Sequence, residues 1–215
     1  MDWSNEPYIV REGYPFIAVA AFLALFAASS RLPLLSVLLL LLTFAVAAFF
    51  RNPYRAFPED PRAILCPADG RVIEVVRVGP ESMLAAPAWK ISIFMSPLNV
   101  HVNRVPASGR LLRRTHRPGK FYVASQPKAS LENERMEILL ETEPGLQIGI
   151  VQIAGRLARR IVCYPREGDR VTRGERFGLI RFGSRVELYL ADGIAVKVKD
   201  GDRVKGGETI MGYFP

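Results

Sequence analysis

Three short segments of this 215-residue chain carry residue types suited to acid–base and acyl chemistry. Residues 67–70 contain Asp69, residues 96–106 contain His101, and residues 181–185 contain the single Gly-Ser dipeptide, Gly183-Ser184. A carboxylate, an imidazole and a hydroxyl are the groups by which a serine oxygen is activated to attack a carbonyl. Each segment also has an ordinary explanation, because Asp-Gly marks turns and an isolated histidine is commonly a structural hydrogen-bonding residue.

The remaining residues of chemical interest are few. His101 and His116 are the two histidines, and neither lies in an H-x-H or HExxH arrangement, so the sequence predicts no metal site and argues against a metallopeptidase. Arg104 stays protonated at neutral pH, which makes it a candidate for holding a phosphate or carboxylate and not a base. Cys66 and Cys163 are typical of free thiols in a reducing compartment. Several cations surround His116, either as a membrane-facing surface or to grip a phosphodiester; they are Arg110, Arg113, Arg114, Arg117 and Lys120.

An apolar N-terminal segment precedes these residues. Two apolar runs, 16–30 and 34–50, are separated by Pro33, which predicts two helices and a tight turn. Each run is at or below the roughly 17 residues of a comfortable span, so the hairpin either crosses the bilayer or dips into one leaflet. A signal peptide is disfavoured because the first dozen residues carry Asp2, Glu6 and Glu12 instead of a basic n-region. A buried hairpin of a soluble protein is the remaining alternative.

The charge of the chain indicates where it works. Its net charge of +8 predicts a polyanionic partner, and the apolar segment favours an anionic membrane over nucleic acid. Arg51, Arg55 and Arg62 follow the second apolar run, whereas the turn holds Arg31. The positive-inside tendency therefore places the region after the hairpin on the cytoplasmic side of the cell membrane.

The rest of the chain is predicted to be mainly β. We divide it into a hairpin, 1–52, and a domain, 53–215, whose short apolar runs alternate with turns. Residues 132–140 either hold one short helix or enter a strand. A repeat aligns 167–175 with 200–208, each with an acidic-Gly-Asp turn, an inward Val and a second Gly. The repeat resembles the barrel-sandwich architecture of lipoyl and biotinyl carrier domains, and the segment that begins at Cys66 resembles its first strand.

Taken in order, the apolar hairpin, the Asp69 segment, the His101 segment and the Gly-Ser dipeptide resemble the short form of the phosphatidylserine decarboxylase family. The resemblance covers essentially the whole chain and extends to residues 116–121 and 133–135. It implies a carboxy-lyase, made as a self-processing proenzyme, that converts phosphatidylserine to phosphatidylethanolamine.

The family also implies a pyruvoyl cofactor derived from Ser184, which forms a Schiff base with the substrate amine. Such a group is chemically reasonable, because decarboxylating an α-amino acid leaves electrons on Cα that an electrophilic carbonyl can accept. In this family the Ser184 hydroxyl attacks the Gly183 carbonyl, the peptide becomes an ester, and elimination follows. The resulting chains, 1–183 and 184–215, are expected to stay associated, and a homo-oligomer of them is left open.

The resemblance assigns the acid–base work to Asp69 and His101, and it ties His101 to the decarboxylation step. Longer bacterial relatives resemble H-x-x-H here, whereas this chain has Arg104 in the second place. The base for Ser184 is therefore open: His101 does both jobs, or His116 contributes from its own loop.

Two alternatives remain from the residues alone. A membrane-anchored carrier or adaptor explains the hairpin and the repeat, but not the combination of Asp69, His101 and the Gly-Ser dipeptide. Such a carrier needs a modifiable lysine at a hairpin tip, whereas Lys197 lies in an apparent strand. Within the same chemistry, another phospholipid or primary α-amino acid is the alternative substrate.

Overall fold

A computed structural model describes residues 7–126, 129–143, 145–156, 160–181 and 184–215. The chain divides into two compact units, Met1–Tyr54 and Arg55–Pro215.

The first unit is a helical hairpin. A 3₁₀ turn, Arg11–Gly13, leads into helix α1 (Tyr14–Ser29), and helix α2 spans Pro33–Phe49. Arg31 adopts a left-handed φ of 57° in the connection, and a proline begins the second helix, where its missing N–H costs no hydrogen bond. Ser36 Oγ donates to the Ala24 carbonyl at 3.1 Å between the helices. The predicted pair of N-terminal helices is confirmed.

The outer faces of this hairpin are apolar and uncovered in the chain itself. Phe22, Leu25 and Leu34 are 66%, 70% and 74% exposed. The helical stretch Arg11–Ser29 is long and apolar enough to cross a membrane, and among the described residues it is the one that meets this criterion; Pro33–Phe49 is apolar but shorter.

The second unit is built from short strands, as predicted. One helix, α3 (Ala129–Glu132), interrupts them, so the region around 132–140 ends a short helix and then enters a strand. The strands are β1 (Ala63–Leu65), β2 (Gly70–Val78), β3 (Ala88–Met95), β4 (Val102–Arg104), β5 (Gly109–Arg117), β6 (Arg135–Thr142), β7 (Gln147–Ala154), β8 (Ile161–Cys163), β9 (Arg170–Val171), β10 (Arg176–Ile180), β11 (Ser184–Ala191), β12 (Ala195–Val196), β13 (Arg203–Val204) and β14 (Ile210–Tyr213).

These strands form one large and two small antiparallel sheets. The large sheet has eight strands in the order β13-β2-β3-β11-β7-β6-β5-β9. The small sheets have the orders β1-β14-β12 and β4-β10-β8. Their inward side chains form one apolar core, to which Ile64, Ile93, Ile180, Leu188 and Met211 contribute. The mainly β, barrel-sandwich-like class is confirmed.

In the large sheet, strands at equal distances from the β11–β7 pair correspond to each other: β3 to β6, β2 to β5, and β13 to β9. The small sheets correspond in the same way, β1-β14-β12 to β4-β10-β8, so the unit consists of two similar halves. The first half comprises β1–β3 and β11–β14, and the second half comprises β4–β10. The two halves therefore meet where β11 pairs with β7.

The repeat seen in the sequence forms matching turns in the two halves. The Asp169 and Asp202 side chains each accept a backbone N–H from three residues earlier, at 2.8 and 2.9 Å. Gly174 and Gly207 have positive φ angles of 82° and 81°. A Cβ on either would lie 2.6 or 2.7 Å from the ring of Phe57, which therefore packs against both turns.

A second correspondence links residues 66–72 to residues 105–111, and it was not predicted. The N–H of Leu65 donates to the Pro106 carbonyl, and the N–H of Arg104 donates to the Pro67 carbonyl, both at 2.9 Å. These reciprocal hydrogen bonds hold the halves together beside the segments of interest.

Candidate active site

Ser184 is the first residue of β11, where the chain returns from the second half to the first. Its Cα pairs with Met95 of β3 on one side and with Ala154 of β7 on the other, and its side chain is fully buried. Its hydroxyl donates to Met95 Sδ at 3.3 Å, which is its hydrogen-bond partner in the described part of the chain. Because a thioether is a weak acceptor, this contact holds the hydroxyl only loosely. Gly183, the other residue of the predicted cleavage site, lies outside the described residues.

His101 lies immediately before β4 and is 1% exposed. Its Nδ1 is 2.9 Å from the carbonyl oxygen of Asn99, so Nδ1 carries the proton and Nε2 is the basic nitrogen. The His101 carbonyl accepts the N–H of Ile180, the last residue of β10, at 3.4 Å. His101 and Ser184 thus stand at the two ends of the β10–β11 connection, without a hydrogen bond between their described side chains.

Asp69 has different partners from those expected. Its carboxylate oxygens are 3.0 and 2.8 Å from Nη2 of Arg55, and Oδ1 accepts the N–H of Gly206 at 2.8 Å. Arg55 also bonds Glu208 at 3.2 Å. Burial acts to raise the pKa of Glu208, but Arg55 and Lys205 outweigh it and lower that pKa. The expected orienting contact from Asp69 to a histidine is not made, because Arg55 and a turn amide occupy the carboxylate.

Arg104 is buried in the second half and does not face solvent. Its Nη1 donates to the Gly174 carbonyl at 3.0 Å, and its guanidinium lies 5.8 Å from the centre of the Phe57 ring. Only 5% of the residue is exposed. Its guanidinium therefore contributes to the packing of a repeat turn, which is a structural role the sequence did not predict.

His116 lies on β5, three strands away from β11 in the large sheet. Its Nε2 is 3.1 Å from a carboxylate oxygen of Glu134, and its side chain is half exposed. Its basic neighbours are also engaged on the surface, Arg117 with Glu137 at 3.3 Å and Lys120 with Glu132 at 3.0 Å. The structure thus places His101, and not His116, beside the end of β10, from which the chain continues to Ser184.

A buried charge network follows Ser184 on the opposite face of β11, and the sequence analysis missed it. Arg185, 2% exposed, donates to Ser92 Oγ at 2.7 Å and pairs with Glu74 at 3.2 Å and Glu187 at 3.1 Å. Burial acts to raise the pKa of Glu74, but its bonds from Lys90 and Ser92 and the charge of Arg185 lower it overall. The sequence signal that could have revealed this network is the alternation of charged and apolar residues along β11.

The remaining candidates have structural surroundings. Burial raises the pKa of Cys66 to about 12 and that of Cys163 to about 11, so both thiols stay protonated and unreactive at neutral pH. Lys197 follows β12 directly, bonds through its N–H to the Met211 carbonyl and lies over the Tyr213 ring. It therefore does not occupy the hairpin tip that a carrier lysine needs.

Comparison with known proteins identifies the family of the chain. The phosphatidylserine decarboxylase family model matches residues 42–212. The chain is 52% identical over 215 residues to the phosphatidylserine decarboxylase proenzyme of Pelobacter propionicus, covering 97% of both chains. It is 47% identical over 211 residues to the protein of the same name from Geotalea uraniireducens, covering 98% of both, and 46% identical over 206 residues to that of Desulfotalea psychrophila, covering 96% of both. As its motif order predicted, this chain belongs to the phosphatidylserine decarboxylase family.

Proposed function

We propose that this chain is a proenzyme that cleaves itself between Gly183 and Ser184 and then decarboxylates phosphatidylserine to phosphatidylethanolamine. The observation that carries the proposal is the position of Ser184 in a chain of this family. It is fully buried, it begins the strand between β3 and β7, and its hydroxyl has only a thioether as partner in the described chain.

In the proposed self-cleavage, His101 acts as the base. Its Nε2 removes the hydroxyl proton of Ser184, whose oxygen bonds to the Gly183 carbonyl carbon. The C–N bond then breaks, the nitrogen takes the proton, and an ester replaces the peptide. Loss of the Ser184 Cα proton and rupture of the Cβ–Oγ bond release a Gly183 carboxylate and leave dehydroalanine. Water converts dehydroalanine to the pyruvoyl group and releases ammonia.

The surroundings of Ser184 fit such a group, because the residue is fully buried and is held by strands on both sides. When formed, the pyruvoyl group supplies an electrophilic carbonyl that accepts the electrons of the broken carbon–carbon bond. His101 is the one of the two histidines placed at that strand end, so we assign proton transfer at the substrate to it as well.

The other predicted residues receive supporting roles in this proposal. Asp69, fixed by Arg55 and Gly206, holds its segment against β4 through the Pro67–Arg104 hydrogen bond. We propose that Asp69 also supports the base, His101, through this fixed segment. His116 remains a candidate only for binding the lipid headgroup, because it lies among exposed cations and on the third strand from β11.

We further propose that the two product chains, 1–183 and 184–215, remain a heterodimer. β11 belongs to the downstream chain, yet both of its neighbours, β3 and β7, belong to the upstream chain. Arg185 pairs with Glu74, and Glu187 accepts a bond from Ser130 at 2.6 Å, so charged contacts add to the strand hydrogen bonds. Assembly of such heterodimers into a homo-oligomer is tested by sizing the purified protein in detergent.

The helical hairpin is proposed to anchor the enzyme in the cell membrane with the β unit on the cytoplasmic side. The length and apolar composition of Arg11–Ser29 support an anchor, and the arginines that follow α2 support this orientation. Protein extracted from membranes by alkaline carbonate, or degraded by protease added outside intact cells, would contradict this proposal.

The function is tested by Ser184→Ala, with Ser108→Ala as the control for losing a serine hydroxyl elsewhere. Alanine has no hydroxyl to attack the preceding carbonyl, so the variant should remain one chain and release no carbon dioxide from phosphatidylserine vesicles. The parent and the control should give two chains, the smaller with a blocked N-terminus. Intact mass and carbon dioxide release are measured on the same samples. Normal lipid turnover by Ser184→Ala would reject the proposal.

A further inference from the structure

Two buried amides, Asn103 of β4 and Gln152 of β7, lie beside the candidate site, and both side chains are 0% exposed. Gln152 Nε2 donates to Asn103 Oδ1 at 2.8 Å, which fixes the orientation of the Asn103 amide. In the described chain, the one acceptor of the Asn103 Nδ2 protons is Met95 Sδ at 3.8 Å, and Gln152 Oε1 has no partner. A buried amide donor that reaches only a thioether loses most of its hydrogen-bond energy, so this pair is poorly satisfied.

The scaffold does not need amides at these places. The register of β1 with β14 matches that of β4 with β10, and it makes Ile64 the first-half equivalent of Asn103: Ile64 pairs with Gly212 as Asn103 pairs with Gly178. The registers along β2-β3-β11 and along β5-β6-β7 likewise make Leu190 the equivalent of Gln152. Both equivalents are apolar and fully buried. The second half thus carries two polar groups where the first half packs hydrocarbon.

The amide donor of Asn103 and the hydroxyl of Ser184 share one neighbouring atom. Met95 Sδ, which is 3.8 Å from Asn103 Nδ2, is also the atom 3.3 Å from Ser184 Oγ. Both groups therefore converge on one weakly accepting sulfur. An oxygen that becomes negatively charged at the Ser184 position would be a much stronger acceptor for this N–H than the thioether.

We propose that Asn103 is a further catalytic residue of the self-cleavage, with Gln152 as its positioning residue. This assignment rests on the proposed function. It concerns the elimination step, in which the ester between Gly183 and Ser184 is broken. A base removes the Cα proton of residue 184, that electron pair forms the Cα–Cβ double bond, and the Cβ–Oγ bond breaks. Its electrons remain on Oγ, which leaves as part of the Gly183 carboxylate. The Asn103 N–H binds Oγ while this charge develops and so lowers the barrier.

The test uses Asn103→Ile in the full chain, because isoleucine already fills the equivalent position of the first half. Removing one such donor typically slows a reaction by about 10²- to 10³-fold, so cleavage should slow and the ester should accumulate. Hydroxylamine should then split the otherwise intact variant and release a downstream chain with an ordinary, unblocked Ser184. Gln152→Leu should give the same ester with a smaller slowing. The readouts are intact mass and N-terminal sequencing, without any activity assay.

Thr142→Val is the matched control. It removes a side-chain hydrogen bond, from Thr142 Oγ1 to the Leu146 carbonyl, at the end of β6 that lies away from Gln152, and it should cleave like the parent. Parental cleavage by Asn103→Ile, or a folded and uncleaved variant that resists hydroxylamine, would overturn the assignment. If Asn103→Ile does not fold, Gln152→Leu decides by the same criteria. A parent chain that does not cleave at 183–184 would instead reject the proposed function itself.

Discussion

The two halves of the β unit share a backbone but differ in the side chains that carry charge and polarity. Asp69 in the first half accepts the N–H of Gly206, and Ser108 in the second half accepts the N–H of Arg173 in the same way, at 2.8 and 3.0 Å. A serine is thus enough for the turn, and a carboxylate is not required by the fold. The extra charge of Asp69 is balanced by Arg55, which has no counterpart around Ser108 in the described contacts.

The difference is largest where the small sheets end. In the second half β10 leads to Ser184, the first residue of β11. His101 stands immediately before β4, and the exposed Arg62 stands at the equivalent place before β1; each offers its carbonyl to the end of a neighbouring strand. These last departures from the internal symmetry lie at the connection that leads to Ser184, as the chemistry proposed for that residue requires.

The largest effect should come from His101→Ala, compared with Arg62→Ala at the equivalent place. Loss of a positioned acid–base group costs on the order of 10² to 10⁴ in rate, so the histidine variant should remain one chain and release no carbon dioxide. Arg62→Ala should cleave and turn over like the parent. A gel for cleavage and a carbon dioxide assay are run on one sample. A cleaved but inactive His101→Ala would restrict the histidine to the substrate step, and full cleavage with full activity would remove it from the site.

An intermediate effect is expected when Asp69→Ser makes the first half resemble the second. Serine can still accept the Gly206 N–H, but the buried Arg55 loses its bidentate partner, which should cost about 1–3 kcal/mol of stability. If the carboxylate also supports the base, as we propose, cleavage should slow by about 10²-fold or more.

The control for this change is Ser108→Ala, which should lose only about 1 kcal/mol and cleave normally. Cleavage time courses are read beside urea midpoints measured in the uncleaved Ser184→Ala background. An Asp69→Ser chain that is destabilised but cleaves at the parental rate would leave Asp69 with a structural role alone.

The smallest effects should be equal in the two halves. Gly174→Ala and Gly207→Ala each place a side chain at a left-handed φ, which costs roughly 1–2 kcal/mol, and each pushes on the same Phe57 ring. A Cβ at residue 207 would also lie 3.0 Å from Arg104 Cδ, but because both variants displace the same ring, the double variant should lose less stability than the sum of the single ones. Urea midpoints in the Ser184→Ala background measure this. Additive losses would mean that the two turns do not share the ring.

The family and the β class were predictable from the sequence because they rest on local patterns. The order of the Asp69, His101 and Gly-Ser segments indicated the family, and the Gly-Asp turns of 167–175 and 200–208 indicated the repeat; both predictions are confirmed. The match between 66–72 and 105–111 was overlooked because its signal is only a Pro-Ala-x-Gly-Arg pattern with Asp69 in one copy and Ser108 in the other.

The contacts that define the site depend on strand order, which local patterns do not contain. Nothing near Asp69 in the sequence indicates that Arg55 and Gly206 will take its oxygens. The sequence left His116 open as a second base, but the large sheet places two strands, β7 and β6, between β11 and the strand that carries it. The pairing of Asn103 with Gln152 joins two different sheets, so only the folded structure brings those amides together.

The central position of β11 has a consequence for how the protein can be made. The strand is flanked on both sides by segments that precede the cut, so the whole sheet must assemble while the chain is still continuous. In the precursor, β11 reaches its slot by closing a loop, whereas after cleavage the same step becomes an encounter between separate molecules. Refolding of the denatured precursor should therefore be first order, but recovery of the denatured mature protein should be second order and fail on dilution. After self-cleavage, therefore, the folded state persists because it unfolds slowly, and no longer because it refolds reversibly.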